Sequence, residues 1–167
     1  MGEISSKTKI DELLEQLEAE TEDIEKVNIL SRIFDTLRNS ELKKAMEYIQ
    51  KGLKLSKEIN YKKGIAECSN SLGIANWNQG DYLSAMEYYN ISLEIYKEMG
   101  DVNGISGCLN NIGIIYDEQG DYSKALEYYR KTLKIVEELG DKKVISNCMM
   151  NIGIVYWNQS NYSQALE

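Results

Sequence analysis

The chain has 167 residues, of which 43% are hydrophobic and 28% charged, enough to bury a sizeable core and keep a polar surface. No apolar run approaches the ~20 residues that span a bilayer, the start from Met1 to Ile10 has no signal-peptide core, and three cysteines fit a reducing compartment; a cytoplasmic setting without membrane contact is expected. A net charge of −8 leaves no basic field for nucleic acid, and the absence of histidine removes the commonest general base.

In chain order, the acidity comes first. Residues 1–25 hold nine acids against two lysines, and the rest of the chain is close to balanced. A helix is predicted over 7–19, with Ile10, Leu13, Leu14 and Leu17 as an apolar stripe and an acidic back. It either caps the first repeat or lies in a groove as an internal ligand. Helices are next predicted over 23–39 and 41–59; the lysines from Lys43 to Lys63 spread around helix turns and read as a solvated face. Further helices are predicted over 62–79, 82–99, 102–119, 122–139 and 142–159, and a ninth begins at 162. Proline is absent, so only glycine, asparagine and caps can end these helices. Gly80, Gly100, Gly120 and Gly140 stand where a left-handed residue would terminate one, with Asn60 and Ser160 at the equivalent positions. Asp81, Asp101, Asp121, Asp141 and Asn161 come directly after, as N-caps should.

These punctuation marks belong to an internal repeat. Gly80-Asp81-Tyr82 returns forty residues later as Gly120-Asp121-Tyr122 and again as Ser160-Asn161-Tyr162; over residues 80–101 and 120–141, 12 of 22 positions are identical. Asn111-Ile112-Gly113-Ile114-Ile115-Tyr116 likewise returns as Asn151-Ile152-Gly153-Ile154-Val155-Tyr156. Gly73, Gly113 and Gly153 sit in mid-helix, where glycine costs about 1 kcal/mol relative to alanine, so a neighbouring helix is expected to approach closely there. Ala45, Ala85, Ala125 and Ala165 form a matching small-residue column. A large residue stands four positions beyond the first three: Ile49, Tyr89 and Tyr129. One helix pair cannot bury both of its apolar faces, so the pairs must stack.

In these residues the chain resembles the tetratricopeptide repeat (TPR) family. Leu109, Ile112-Gly113, Tyr116, Gly120-Asp121-Tyr122, Ala125 and Tyr129 carry the family pattern, with Ile in place of Leu before the glycine. Met149, Ile152-Gly153, Tyr156, Tyr162 and Ala165 repeat it. Residues 66–99 match it with Ser69 and Asn76 as departures, and residues 26–59 keep only its second helix, Arg32 and Ile33 replacing Leu-Gly. The resemblance implies an all-α fold, a right-handed superhelical α-solenoid of stacked antiparallel helix pairs. The family repeat is usually nearer ~34 residues with a proline after the second helix. The forty-residue spacing here is similar to the long repeats of Pins-type scaffolds and of bacterial regulators that precede a kinase, cyclase or DNA-binding domain. The expected organisation is an acidic helix or cap (1–22), a degenerate first pair (23–60), two full repeats (61–100 and 101–140) and a truncated last repeat (141–167).

The resemblance also implies that the first helix of each pair lines a concave groove. Its candidate ligand-binding residues are Glu67, Asn70, Ile74 and Trp77; Asn110, Ile114 and Asp117; and Asn147, Ile154 and Trp157, with Asn78, Gly107, Glu118, Met150 and Asn158 on the same faces. Within each helix these residues recur at steps of three, four or seven. Trp77 and Trp157 fit inter-repeat packing equally well. The family's carboxylate clamp needs an asparagine where this chain has Ile74, Ile114 and Ile154, so that ligand class is not expected, and the groove arginines for Pins-type ligands are missing. Asn111 and Asn151, with Ser71 in register, are expected to bond neighbouring backbone or, failing that, a ligand.

Cys68, Cys108 and Cys148 recur at forty and are expected to be buried packing residues, beyond disulfide reach of one another. With no histidine and no close cysteine pair, no metal or other cofactor is expected. Tyr82, Tyr88, Tyr89, Tyr122, Tyr128, Tyr129 and Tyr162 read as repeat packing. No phosphate-cradling loop appears and the acids fall at caps and exposed helical positions, so no enzymatic activity is expected. The expected function is a protein-interaction module holding a peptide or partner helix. The alternative is a regulatory or sensor domain of a longer signalling protein whose output domain lies elsewhere. The last motif is cut at Glu167, which reads as a fragment, and the uncovered apolar face of a truncated last repeat gives a route to homo-oligomers.

Overall fold

A computed structural model of the chain describes the backbone of residues 2–159 and the side chains of residues 9–159. The predicted ninth helix, with Ser160, Asn161, Tyr162 and Ala165, lies outside the described residues. Among the described residues eight helices succeed one another: α1 (Gly2–Ala19), α2 (Asp23–Leu37), α3 (Leu42–Glu58), α4 (Lys62–Asn78), α5 (Tyr82–Met99), α6 (Val102–Glu118), α7 (Tyr122–Leu139) and α8 (Lys142–Asn158). Among the described residues there is no strand, so the fold class is all-α. From α3 onward each helix starts twenty residues after the last, at 42, 62, 82, 102, 122 and 142.

The stop signals explain that regularity. Gly80, Gly100, Gly120 and Gly140 all adopt positive φ, between 67° and 76°, and Asn60 does so at 55°. At every one of these ends the next residue's N–H reaches back to the carbonyl five positions earlier. Asp121 N–H donates to the Tyr116 carbonyl at 2.9 Å and Asp81 N–H to that of Asn76 at 3.0 Å. The aspartates then open the next helix. Asp101 accepts from the Gly104 N–H, Asp121 from that of Lys124, and Asp141 from those of Lys143 and Val144; Asp81 accepts from Ser84 N–H at 3.1 Å. Turns of two or three residues, from α3 onward, therefore make helix hairpins, the local unit of the fold.

Predicted and observed helix ends differ at several helices: α2 ends at Leu37 rather than at residue 39, with Arg38 as its C-cap, and α3 runs over Leu42–Glu58 rather than 41–59. α4, α6 and α8 stop one residue early, because Gln79, Gln119 and Gln159 already serve as their C-caps. α1 starts at Gly2 rather than at residue 7. The apolar stripe that marks α1 begins at Ile10, but nothing upstream is a proline, so the helix continues past its own packing signal.

The chain divides into two compact units, Met1–Ile95 and Tyr96–Glu167, the division falling within α5. In the first unit, Ile10 and Leu13 of α1 are buried in one core with Val27, Ile33, Phe34 and Leu37 of α2. The same core takes in Ala45, Ile49 and Leu53 of α3 and Cys68, Leu72 and Ala75 of α4. Gly73 provides the expected close approach: a Cβ there would fall 2.5 Å from Cε1 of Tyr89. Ser92, fully buried, donates its hydroxyl to the Ala66 carbonyl at 2.8 Å and so satisfies itself across the pair.

In the second unit the lock repeats. A Cβ on Gly113 of α6 would fall 2.7 Å from Cε1 of Tyr129 of α7, and the Tyr129 side chain is buried. Burying such a ring stabilises by roughly 2 kcal/mol or more, which offsets the propensity cost of the glycine. Ala125, Leu126 and Tyr129 of α7 share a core with Val155 of α8, and Ile114, Tyr116, Ile152 and Tyr156 pack around it. Tyr116 and Tyr128 stack with ring centroids 5.5 Å apart. A second glycine device has no counterpart among the sequence expectations: the ring of Tyr96 fills the space where Gly104 would carry a side chain.

Candidate functional site

The described face of the second unit that carries the most exposed apolar surface belongs to α8. Met150, Ile154 and Trp157 are 59%, 45% and 62% exposed. Steps of four and three place them in one line along the helix. Alongside them on α6 stand Asn110, Ile114 and Asp117, each half-buried. Two side-chain bonds hold α6 and α8 together along this line. Asn151 donates to Asn110 Oδ1 at 3.1 Å, and near the helix ends Asn158 hydrogen-bonds the Asp117 carboxylate.

Toward the N-terminal halves of the same two helices lies a cleft of about 410 Å³. Asn103, Ser106, Gly107 and Asn110 of α6 line it from one side, Val144 and Asn147 of α8 from the other, together with Asp141, the N-cap of α8. A Cβ added at Gly107 would meet nothing within 4 Å, so this glycine leaves the cleft open without being needed for close packing. The site thus grades from an amide-lined cleft at one end to an apolar strip with a carboxylate at the other.

Asp117 is the electrostatically unusual group. Partial burial, then the neighbouring Glu118, hold its carboxyl above the ordinary aspartate range, while the Asn158 hydrogen bond pulls the other way. Its Oδ1 is buried without a hydrogen-bond partner.

The predicted site residues are therefore distributed over two places. Asn110 and Asn147 come together in the cleft, and Ile114, Asp117, Ile154 and Trp157 continue the line beyond it. Glu67, Asn70, Ile74 and Trp77 lie on α4 in the first unit, all half-buried, with Glu67 3.6 Å from Lys63. The two tryptophans differ, Trp77 half-buried and Trp157 largely exposed. Asn151, expected to bond backbone, bonds a side chain on the neighbouring helix instead, because the offset between α6 and α8 brings Asn110 within reach. Asn103 and Val144 are not among the expected residues. A step of four back from Gly107 leads to Asn103, and a step of three back from Asn147 to Val144; those steps were the available signal.

The cysteines are packing residues. Cys68, Cys108 and Cys148 are buried with free thiols, and burial pushes the Cys68 thiol up to about 11 and that of Cys148 upward, which leaves both unreactive at neutral pH. Among the described residues no three or more histidine, cysteine or acidic side chains gather where they could hold a metal ion. No described helix is long and apolar enough to cross a membrane.

Residues 105–167 match the tetratricopeptide repeat family model. No curated protein sequence matches the chain. Solved structures do. BtubC from P. vanneervenii is similar at TM-score 0.85 and 20% identity, over 98% of this chain and 70% of that one. A Rap protein complexed with competence and sporulation factor is similar at TM-score 0.87 and 18% identity, over 99% and 47%. A signal-transduction ATPase with a tetratricopeptide repeat sensor, from Pyrococcus horikoshii, is similar at TM-score 0.81 and 22% identity, over 93% and 25%. The chain thus spans about half of the Rap protein and a quarter of the ATPase. At these identities the likeness establishes the helical-repeat fold.

Proposed function

Because this chain is a tetratricopeptide-type helical repeat protein, we propose that it is a protein-interaction module, with the α6–α8 face as the seat of a peptide or partner helix and the α4 face (Glu67, Asn70, Ile74, Trp77) as its counterpart in the first unit. The observation that carries the reading is the exposed line Met150, Ile154 and Trp157 running on from an amide-lined cleft. Apolar anchors that step by three and four suit the side chains of a bound segment, and the amides suit its backbone groups. The reading is non-enzymatic: the groove is a place to bind a segment, with amides and apolar anchors as its contacts. One similar structure is that of a Rap protein in complex with competence and sporulation factor, a precedent for a complex on this fold.

The experiment is a peptide selection. A random peptide display library is panned on the folded chain, and the binders are measured by calorimetry on the wild type, on Ile114→Glu and on Gly107→Trp. Gly107→Trp places a large ring into the cleft from a position where a Cβ meets no neighbour, and its thermal melt is compared with the wild type to show that it stays folded. Binders lost on both variants support the groove; binders that hold equally well to both would overturn it.

A second reading has a specific observation behind it. The similar ATPase carries its tetratricopeptide repeats as a sensor, and this chain spans a quarter of it. In that reading the same groove receives a signal and an attached output domain responds. Sequencing the source gene through its full reading frame decides between them: an output domain favours the sensor, further repeats the scaffold. Self-association through the exposed α8 residues is a further part of the proposal. A strict monomer by light scattering at high concentration would remove it.

A further inference from the structure

The C-terminal ends of α6 and α8 lie side by side, as the hydrogen bond between Asp117 and Asn158 requires. Helix C-termini carry partial negative charge and favour cations. Here the last two residues of α6 are instead Asp117 and Glu118, so two carboxylates add to a field that is already negative. The groups acting on the Asp117 carboxylate are Glu118 and Asn158, one anionic and one neutral. Lys124, near in the chain, is taken up at 2.8 Å by Asp121 and lies over the Tyr116 ring. Asp117 Oδ1 remains buried with no hydrogen-bond partner. Next to this end stands Trp157, 62% exposed, a ring of the type that receives cations on its face.

Charge complementarity therefore specifies the occupant of the apolar strip. We propose that this end of the groove seats a lysine or arginine side chain of the bound polypeptide, whose adjoining apolar residues lie on Met150, Ile154 and Trp157. The proposal rests on the groove reading above and narrows it: the ligand is a basic, apolar segment, and a C-terminal carboxylate at this end would be repelled. A guanidinium or ammonium beside the exposed Trp157 ring would neutralise the pair of acids at the end of α6. Partly buried, the Asp117 carboxylate gains most from such a donor, since it has least water to give up.

The test uses two display libraries on the intact chain, one with the full amino-acid alphabet and one without lysine and arginine. The expected result is that Gly107→Trp-sensitive binders come from the full library and carry a basic residue. They lose affinity about tenfold or more on Asp117→Asn, which removes charge at constant shape, and weaken with added salt. Thermal melting of Asp117→Asn at or above the wild-type temperature shows that the loss is not unfolding. If groove-blocked binders of equal affinity emerge without lysine or arginine, or if Asp117→Asn leaves the full-library binders within a factor of about two, the basic-side-chain proposal is wrong while the groove stands. If neither library yields a binder that Gly107→Trp blocks, both fall.

Discussion

α6 and α8 share the repeat pattern, with 8 of 17 residues identical at copied positions, and differ in what surrounds them. Both bury one face: Cys108 and Cys148 are 1% and 0% exposed, and Ile115 and Val155 are both fully buried. The other face diverges. Leu109 is 9% exposed and its copy Met149 51%; Ile112 and Gly113 are buried, Ile152 and Gly153 only half so; Ser106 is buried and Ser146 exposed. In α6 that second face is covered by α7, whose Tyr129 ring rests on Gly113. The Asn-Ile-Gly-Ile pattern therefore encodes a face ready to be covered, and the stability gained is a property of the neighbouring element as much as of the helix itself.

The largest effect is expected where that cover is tightest. Gly113→Leu pushes a branched side chain into the Tyr129 ring and should cost about 3 kcal/mol or more in urea unfolding; wild-type stability in this variant would break the lock. Next comes the comparison itself. Leu109→Ala should cost about 2–3 kcal/mol, while Met149→Ala at the copied position should cost less than about 1 kcal/mol. Equal costs would show that α8 is covered in solution as α6 is. Within α6, Gly107 contrasts with Gly113: with nothing within 4 Å, Gly107→Ala should stabilise by about 1 kcal/mol through helix propensity alone.

How much of this was legible in the sequence depends on which forces act locally. Helix starts at 82, 102, 122 and 142 were readable because Gly-Asp pairs act through their own backbone. The left-handed residue and the N-cap aspartate need no partner from elsewhere in the chain. The Gly113–Tyr129 contact was readable because a mid-helix glycine carries a cost that only close packing offsets. The Asn110–Asn151 bond was not, since it depends on the offset between two helices, which no periodicity within either one reports. The same holds for the Asp117–Asn158 bond and for Asn103 and Val144 at the cleft. Exposure of Trp157 beside half-burial of Trp77 was equally invisible, because the two share a repeat position and differ only in their surroundings.

The smallest expected effect is also the most specific to the site. Asp117→Asn keeps shape and removes a charge that α6 holds at an unfavourable end. In the folded chain this carboxyl is raised above its ordinary range, so the folded state binds its proton more tightly than the unfolded state does. Stability contributed by protonation is then full below the ordinary aspartate range and lost as pH rises through the raised value. At neutral pH the wild type carries the whole penalty and the variant none. Thermal melts of the two proteins should therefore show Asp117→Asn the more stable at neutral pH, with the gap closing on acidification and gone once Asp117 is protonated in both states. Taking the difference between the two chains cancels the titration of the acids not coupled to Asp117, including the dense set in α1, and leaves Asp117 with its neighbour Glu118. A gap independent of pH would mean that the folded chain does not disfavour the Asp117 charge, which would remove the negative field that the proposed basic side chain is there to neutralise.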